Sequence, residues 1–217
     1  MSRNTTIRAI ALTSTILIAA CSGSGADSDR AAQKTELAGA SVSAPAACNN
    51  QAVKVGDTLA VNLAGAGLHW DTSGDIVKLA KTTSGKEVEL VVSTAAGGPS
   101  PPLNDCLKSG SYIRFASTKH TAPNRYLQAF RAANPRNVQI GNFPDPGIDS
   151  VFYVRKVEGQ LGDVIQRGDE VLIRGVSRDP WLVAPTGAAV GTAIVLSEIE
   201  GDASKWTLGN KGDGQEG

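Results

Sequence analysis

Three short stretches, each led by a glycine, recur along this chain and restrict what it can fold into. They are VGDTLAV from Val55, SGSYIRF from Ser109 and RGDEVLI from Arg167, and Gly56, Gly110 and Gly168 lie 54 and 58 residues apart. Apolar residues follow each glycine by three and five positions: Leu59 and Val61, Ile113 and Phe115, Val171 and Ile173. Side chains on a strand repeat every two residues, so both members of each pair share one face. Such a recurrence marks a supersecondary unit that cannot bury its apolar face alone and stacks on its copies instead. With 24 glycines, 10 prolines and one methionine, the chain reads as turn-rich β rather than helical.

The remainder of each unit repeats as well. A second strand reads GLHW, YLQA and WLVA, with Leu68, Leu127 and Leu182 in register. A third reads IVKLA, NVQIG and AIVLS, aligning Val77 and Leu79 with Val138 and Ile140 and with Ile194 and Leu196. A fourth reads VEL, FYV and WTL, aligning Val88 and Leu90 with Phe152 and Val154 and with Trp206 and Leu208. Three units of four short strands resemble the all-β fold of the β-trefoil, in particular the ricin B-type and fascin-like superfamily. That fold is a six-stranded barrel capped by three hairpins. The resemblance covers about residues 48–210, with repeats at about 53–107, 108–166 and 167–210. An all-β sandwich is the alternative, and it does not require a threefold recurrence.

Ricin-type units close on Gln-x-Trp, and the third unit here closes on SKWTL, residues 204–208. Ser204, Ser150 and Lys86 stand where that glutamine would be, so the ricin-type sugar site is expected to be missing. Trp206 aligns with apolar Val88 and Phe152 and is expected in the interior.

The N-terminus is a targeting segment. Arg3 and Arg8 precede the apolar run AIALTSTILIAA over residues 9–20, which is too short for an ordinary membrane span. Ile18-Ala19-Ala20-Cys21 resembles the lipobox of bacterial lipoproteins, which implies cleavage after residue 20 and acylation of Cys21. Several acyl chains, at roughly 0.8 kcal/mol per buried methylene, hold a protein on a membrane without a spanning helix. Ser22 rather than Asp after the cysteine favours the outer membrane. Residues 22–47 are small, polar and free of aromatics, and read with Cys21 as a flexible tether. The tail over 211–217 reads as disordered. If Cys21 carries lipid, Cys48 and Cys106 remain as an even pair in an oxidising compartment, and a disulfide is expected; two separate buried thiols are the alternative. In a trefoil unit the first and fourth strands pair, so the resemblance implies that such a bridge clips the start of unit one to its end.

Catalytic chemistry finds little support. The chain has two histidines, His69 and His120, and none of the metal, phosphate-loop or nucleophile-elbow patterns. His69, between Leu68 and Trp70, is expected to face solvent, as is Gln128 at the matching place. NFPDPGID, residues 142–149, carries Asp145 and Asp149 but lacks a calcium-loop spacing, and reads as a rigid connector. No cofactor and no metal is expected.

Charge is segregated although the totals balance at 21 basic and 21 acidic residues. No acid occurs from Cys106 to Pro144, a stretch holding Lys108, Arg114, Lys119, Arg125, Arg131 and Arg136, whereas unit three is acidic. Lys119, His120, Arg125, Arg131 and Arg136 flank the second strand of unit two and could form one patch for an acidic glycan or other anionic ligand. The competing reading is a set of solvated loop charges, some paired with acids of the neighbouring unit. Trp70, Tyr126 and Trp181 lie on hairpin strands where a ring could grip a sugar, and Trp181, after Asp179-Pro180, is the one expected to be exposed; packing against the hairpin cap is the alternative. Nucleic acid is not expected as a partner of an exported chain lacking interleaved aromatics.

The sequence therefore reads as a lipid-anchored envelope protein that displays a binding module and is not an enzyme. A protein-interaction or inhibitor module acting through one exposed loop is the alternative. The A subunit of cytolethal distending toxins is similar in gross layout, and trefoil protease inhibitors exemplify the alternative.

Overall fold

The computed structural model describes residues 48–81, 87–93, 100–121, 125–129, 136–141 and 147–209. Residues 1–47, with the targeting segment, Cys21 and the tether, lie outside the described residues, as do Lys86, Arg131, Asp145 with its prolines, and the tail over 211–217. The described chain is all-β, with helix confined to two 3-10 turns, Ile148–Ser150 and Glu200–Asp202.

Among the described residues, twelve strands follow one another in three sets of four. The first set is β1 (Thr58–Leu63), β2 (Leu68–Asp71), β3 (Lys78–Ala80) and β4 (Val88–Val92). The second is β5 (Ser111–Ser117), β6 (Leu127–Gln128), β7 (Gln139–Ile140) and β8 (Phe152–Lys156). The third is β9 (Glu170–Gly175), β10 (Trp181–Val183), β11 (Val195–Ser197) and β12 (Trp206–Gly209). The first and fourth strand of each set pair antiparallel, through β1 with β4, β5 with β8, and β9 through Trp206↔Val171 with β12. Each fourth strand also pairs with a first strand of another set, β4 with β5, β8 with β9 and β12 with β1. These six strands thus pair in a cycle. The second and third strands of each set form hairpins.

Two triangles of backbone hydrogen bonds join the sets. Val77 N donates to Val138 O at 2.9 Å, Val138 N to Ile194 O at 3.0 Å, and Ile194 N to Val77 O at 3.0 Å. Val53 N donates to Ile165 O at 2.9 Å, Ile165 N to Leu107 O at 2.9 Å, and Leu107 N to Val53 O at 2.7 Å. All six residues are fully buried, and because Val53, Leu107 and Ile165 lead into β1, β5 and β9, each N–H and C=O that water cannot reach finds its partner in another set.

The leading glycines do not begin the strands. Each is the third residue of a four-residue turn, closed by Asp57 N to Lys54 O, Ser111 N to Lys108 O and Asp169 N to Gln166 O at 3.0–3.1 Å. Gly56, Gly110 and Gly168 have φ of +100°, +93° and +85°, a conformation L-residues rarely adopt at that turn position. The side chain that ends each turn folds back, with Asp57, Ser111 and Asp169 accepting from the N–H of Lys54, Lys108 and Gln166. The strand starts one or two residues later than the sequence pattern suggests, because the glycine serves the turn.

The alternation of the sequence is the alternation of the core. Leu59, Val61, Ile113, Phe115, Val171 and Ile173 are buried, as are Val88, Leu90, Phe152, Val154, Trp206 and Leu208. Rings interlock at its centre: Trp70 meets Phe115 edge-on at 5.3 Å and Trp206 at 5.4 Å, and Phe115 meets Phe152 at 5.3 Å. Trp206 Nε1 donates to Leu182 O at 3.4 Å, which spares the indole an unpaired polar atom. Trp70, read as a possible sugar-gripping ring, is instead 1% exposed and belongs wholly to this cluster.

Cys48 and Cys106 form a disulfide with Cα atoms 5.8 Å apart. It ties residue 48 to the segment that leads into β5, beside Ala52 and Val164. In the chain-entropy model a loop of 58 residues contributes about 4 kcal/mol. Trp206→Ala is expected to cost roughly 3–5 kcal/mol, as truncation of a buried core ring does, measured by urea denaturation. A cost near zero would show that the ring is not part of the packed centre.

Candidate functional site

Alternation along β5, β8 and β9 sends Ile113, Phe152, Val154 and Ile173 inward, and therefore sends Tyr112, Tyr153 and Arg174 outward. Strand register then aligns them: Tyr112 faces Tyr153, Tyr153 faces Arg174, and Arg174 faces Trp181 on β10. The tyrosine rings meet edge-on at 5.4 Å. The Arg174 guanidinium lies 4.8 Å from the Tyr153 ring centre and 5.5 Å from that of Trp181. Arg155 covers Trp181 at 5.7 Å. Each such contact contributes about 0.5–1 kcal/mol at an exposed site.

The part of this row short of Trp181 floors an open cleft of about 750 Å³, within the range of about 300–1,000 Å³ usual for small-molecule sites. Tyr112, Tyr153 and Arg174 line it, with Leu161 as a wall and Lys108, Asp105, Ser109 and Ser111 around them. Leu161 is 69% exposed and lies over Gly110, where an added Cβ would come within 3.2 Å of its side chain. Arg174 pairs with Asp179 at 3.4 Å. Arg178 and Asp179 both have positive φ, 62° and 55°, in the connection between β9 and β10. The Nε of Arg174 is buried without a hydrogen-bond partner among the described residues.

The residues singled out in the sequence are distributed differently. Ser117 N donates to Arg125 O at 2.7 Å, which brings Arg125 beside the Lys119 and His120 loop. Lys119 is exposed and His120 half-buried. Arg125 lies 5.6 Å from the Tyr126 ring centre and pairs with Glu89 of the first set at 2.8 Å. Arg136 is held against β11, with its carbonyl accepting from Leu196 N, and pairs with Glu198 at 3.1 Å. Arg155 likewise pairs with Glu200, and Lys156 with Asp169 at 2.8 Å. Cations of the second set thus meet acids of its neighbours. Trp181 is not exposed as expected but 6% exposed, because Arg155 and Arg174 reach across its ring from β8 and β9. Sequence reasoning missed Tyr112, Tyr153 and Arg174, although their positions between inward residues were a usable signal.

His69 is also buried, at 6% exposure, and so is Gln128 at the matching place. Both were expected to face solvent. β2 runs between β1 and β3, and the His69 Nδ1 shares a short hydrogen bond with the Asn62 side chain on β1, whose Nδ2 donates to Thr207 on β12 at 3.3 Å. Burial lowers the His69 pKa below its ordinary 6.5, partly offset by a backbone hydrogen bond with Lys81. Among the described residues, no group of three or more His, Cys, Asp or Glu side chains is arranged to hold a metal ion.

No family model matches the chain, and no curated protein matches it significantly. Solved structures do. A Caenorhabditis elegans protein of unknown function is 12% identical with a TM-score of 0.56, over 76% of this chain and 99% of that one. The SDF2-like protein from Arabidopsis thaliana is 11% identical with a TM-score of 0.57, over 72% of this chain and 94% of that one. A chain of the S. cerevisiae protein O-mannosyltransferase Pmt1-Pmt2 complex bound to the sugar donor is 11% identical with a TM-score of 0.54. The match covers 73% of this chain and 25% of that one. At these identities the likeness is one of fold.

The His69 shift has a sign that can be measured. The unfolded chain takes up the proton first as pH falls, so the stability from the neutral buried imidazole is full above about 6.5 and is lost below it. Stability is expected to fall between pH 7 and 5.5, and to fall less steeply in His69→Gln, by urea midpoints at each pH. Equal slopes would remove His69 as the cause.

Proposed function

We propose that this chain is a bacterial lipoprotein, anchored through acylated Cys21, that displays a β-trefoil as a non-catalytic binding module for an anionic ligand. The cyclic pairing of six strands, the three hairpins and the two hydrogen-bond triangles support the trefoil reading over a sandwich, whose two sheets do not call for a threefold exchange of backbone bonds. The observation that carries the binding reading is the outward row of rings and arginine flooring an open cleft, beside a unit whose sequence holds no acid from Cys106 to Pro144. Lys108 and Lys119 add exposed positive charge with no ion pair among the described residues. Such a surface draws anions by long-range attraction and holds them by charge-assisted hydrogen bonds.

A second reading, a protein-interaction module working through an exposed loop, is favoured by Leu103 and Leu161, 62% and 69% exposed at equivalent places over Gly56 and Gly110. Co-purification of one protein partner by a chain that ignores polyanions would select it.

Replacing Cys21 by Ser is expected to release the protein from the membrane fraction on cell fractionation; continued attachment would contradict the anchor. The full-length chain is expected to be retained on heparin, less at higher salt and less in Arg125→Ala and Arg136→Ala. Retention indifferent to salt and to both variants would remove the anionic-ligand reading for that surface.

A further inference from the structure

Resting on the reading of this chain as a ligand-binding module, we infer that the cleft over Tyr112, Tyr153 and Arg174 binds a sugar ring carrying a carboxylate. It is therefore a site apart from the Lys119, Arg125 and Arg136 surface suggested by charge alone.

The chemistry follows from what lines the cleft. Two tyrosine rings set at 62° to one another offer an apolar face and an adjoining edge, with hydroxyls at their ends. A sugar ring has the complementary make-up, a face of C–H groups and a rim of hydroxyls. Those hydroxyls need donors and acceptors together. The Asp105 carboxylate accepts, the Lys108 ammonium donates, and Ser109 and Ser111 can donate, because each already accepts a backbone N–H, from Lys156 and Lys108. A purely apolar ligand would strand these groups, at a desolvation cost.

The carboxylate is assigned by Arg174. Its guanidinium is held against the Tyr153 and Trp181 rings, which restricts where its fork can meet a planar, two-oxygen partner. Its present partner, Asp179, is held at 3.4 Å, longer than a charge-assisted hydrogen bond of about 2.7–2.9 Å. A ligand carboxylate can therefore approach more closely than the internal one does. Asp105 and Asp179 also argue against a doubly charged phosphate, which would meet two acids. A singly charged carboxylate, with its sugar hydroxyls turned to Asp105, satisfies both ends of the cleft.

The test is calorimetric titration of the purified full-length chain in detergent with trigalacturonate and sialyllactose, using lactose as the neutral counterpart. At least one acidic sugar is expected to bind, about tenfold or more tighter than lactose. That affinity is expected to fall about tenfold or more in Arg174→Gln and in Tyr112→Ala, and to survive in Tyr112→Phe and Arg136→Ala. Near-ultraviolet circular dichroism identifies the folded variants. Should Arg174→Gln not fold, Tyr112→Ala against Tyr112→Phe decides. Lactose binding as tightly as the acidic sugars would overturn the arginine assignment. Heparin retention with no binding of either acidic sugar, or binding lost in Arg125→Ala but not in Tyr112→Ala, would overturn the cleft and leave the anionic-ligand module standing. Loss of both heparin retention and sugar binding would overturn the two together.

Discussion

The two triangles of backbone hydrogen bonds are the constraint on which the rest of this structure depends. Val77, Val138 and Ile194 form one and Val53, Leu107 and Ile165 the other, and each residue donates to one set of strands and accepts from another. In a buried position an unpaired N–H or C=O is costly, so no set of four strands is complete without the other two. The side chains carry the same message. Trp70 of the first set, Phe115 and Phe152 of the second and Trp206 of the third form one chain of edge-on contacts, and Trp70 joins all three sets through it. Burying two indoles and two phenyl rings is the larger stabilising term, while the triangles fix which arrangement of strands can bury them.

The outer surface follows from that inner one. Once register is set by the core, every residue between two inward residues must point out, and its neighbours across the strands are no longer free to vary. Tyr112, Tyr153, Arg174 and Trp181 come from four strands and form one row because the inward residues beside them are locked. A candidate site on strands rather than on loops keeps its groups in place without a ligand, which lowers the ordering cost of binding. Charge obeys the same logic. Ion pairs such as Arg125 with Glu89 and Arg136 with Glu198 join different sets, so part of the segregation of acids and bases along the chain is neutralised at the seams.

Much of the fold was legible in the sequence, because a period of two and a glycine at a turn are local signals. Leu59, Val61 and their equivalents revealed the inward faces, and Gly56, Gly110 and Gly168 revealed the repeat. The strands begin one or two residues beyond the leading glycines, a boundary the sequence pattern leaves open because a positive φ is invisible in a one-letter code. His69 and Gln128 were misjudged for a different reason. Alternation says which residues share a face, not whether a second layer covers the other face, and here Asn62 on β1 covers His69. Trp181 was misjudged likewise, since the arginines that cover it lie on β8 and β9.

The sequence by itself determined the all-β class, the three sets of four strands and the inward position of Trp206, all of which rest on local alternation or turn chemistry. The pairing of Cys48 with Cys106 was an expectation from counting, and the structure decided it against two separate thiols. Only the tertiary structure decided which cations are neutralised, which rings are covered, and that Tyr112, Tyr153 and Arg174 share one cleft. Those are properties of neighbours across strands, and neighbours far apart in sequence are chosen by the closure of the core rather than by any residue's own propensity.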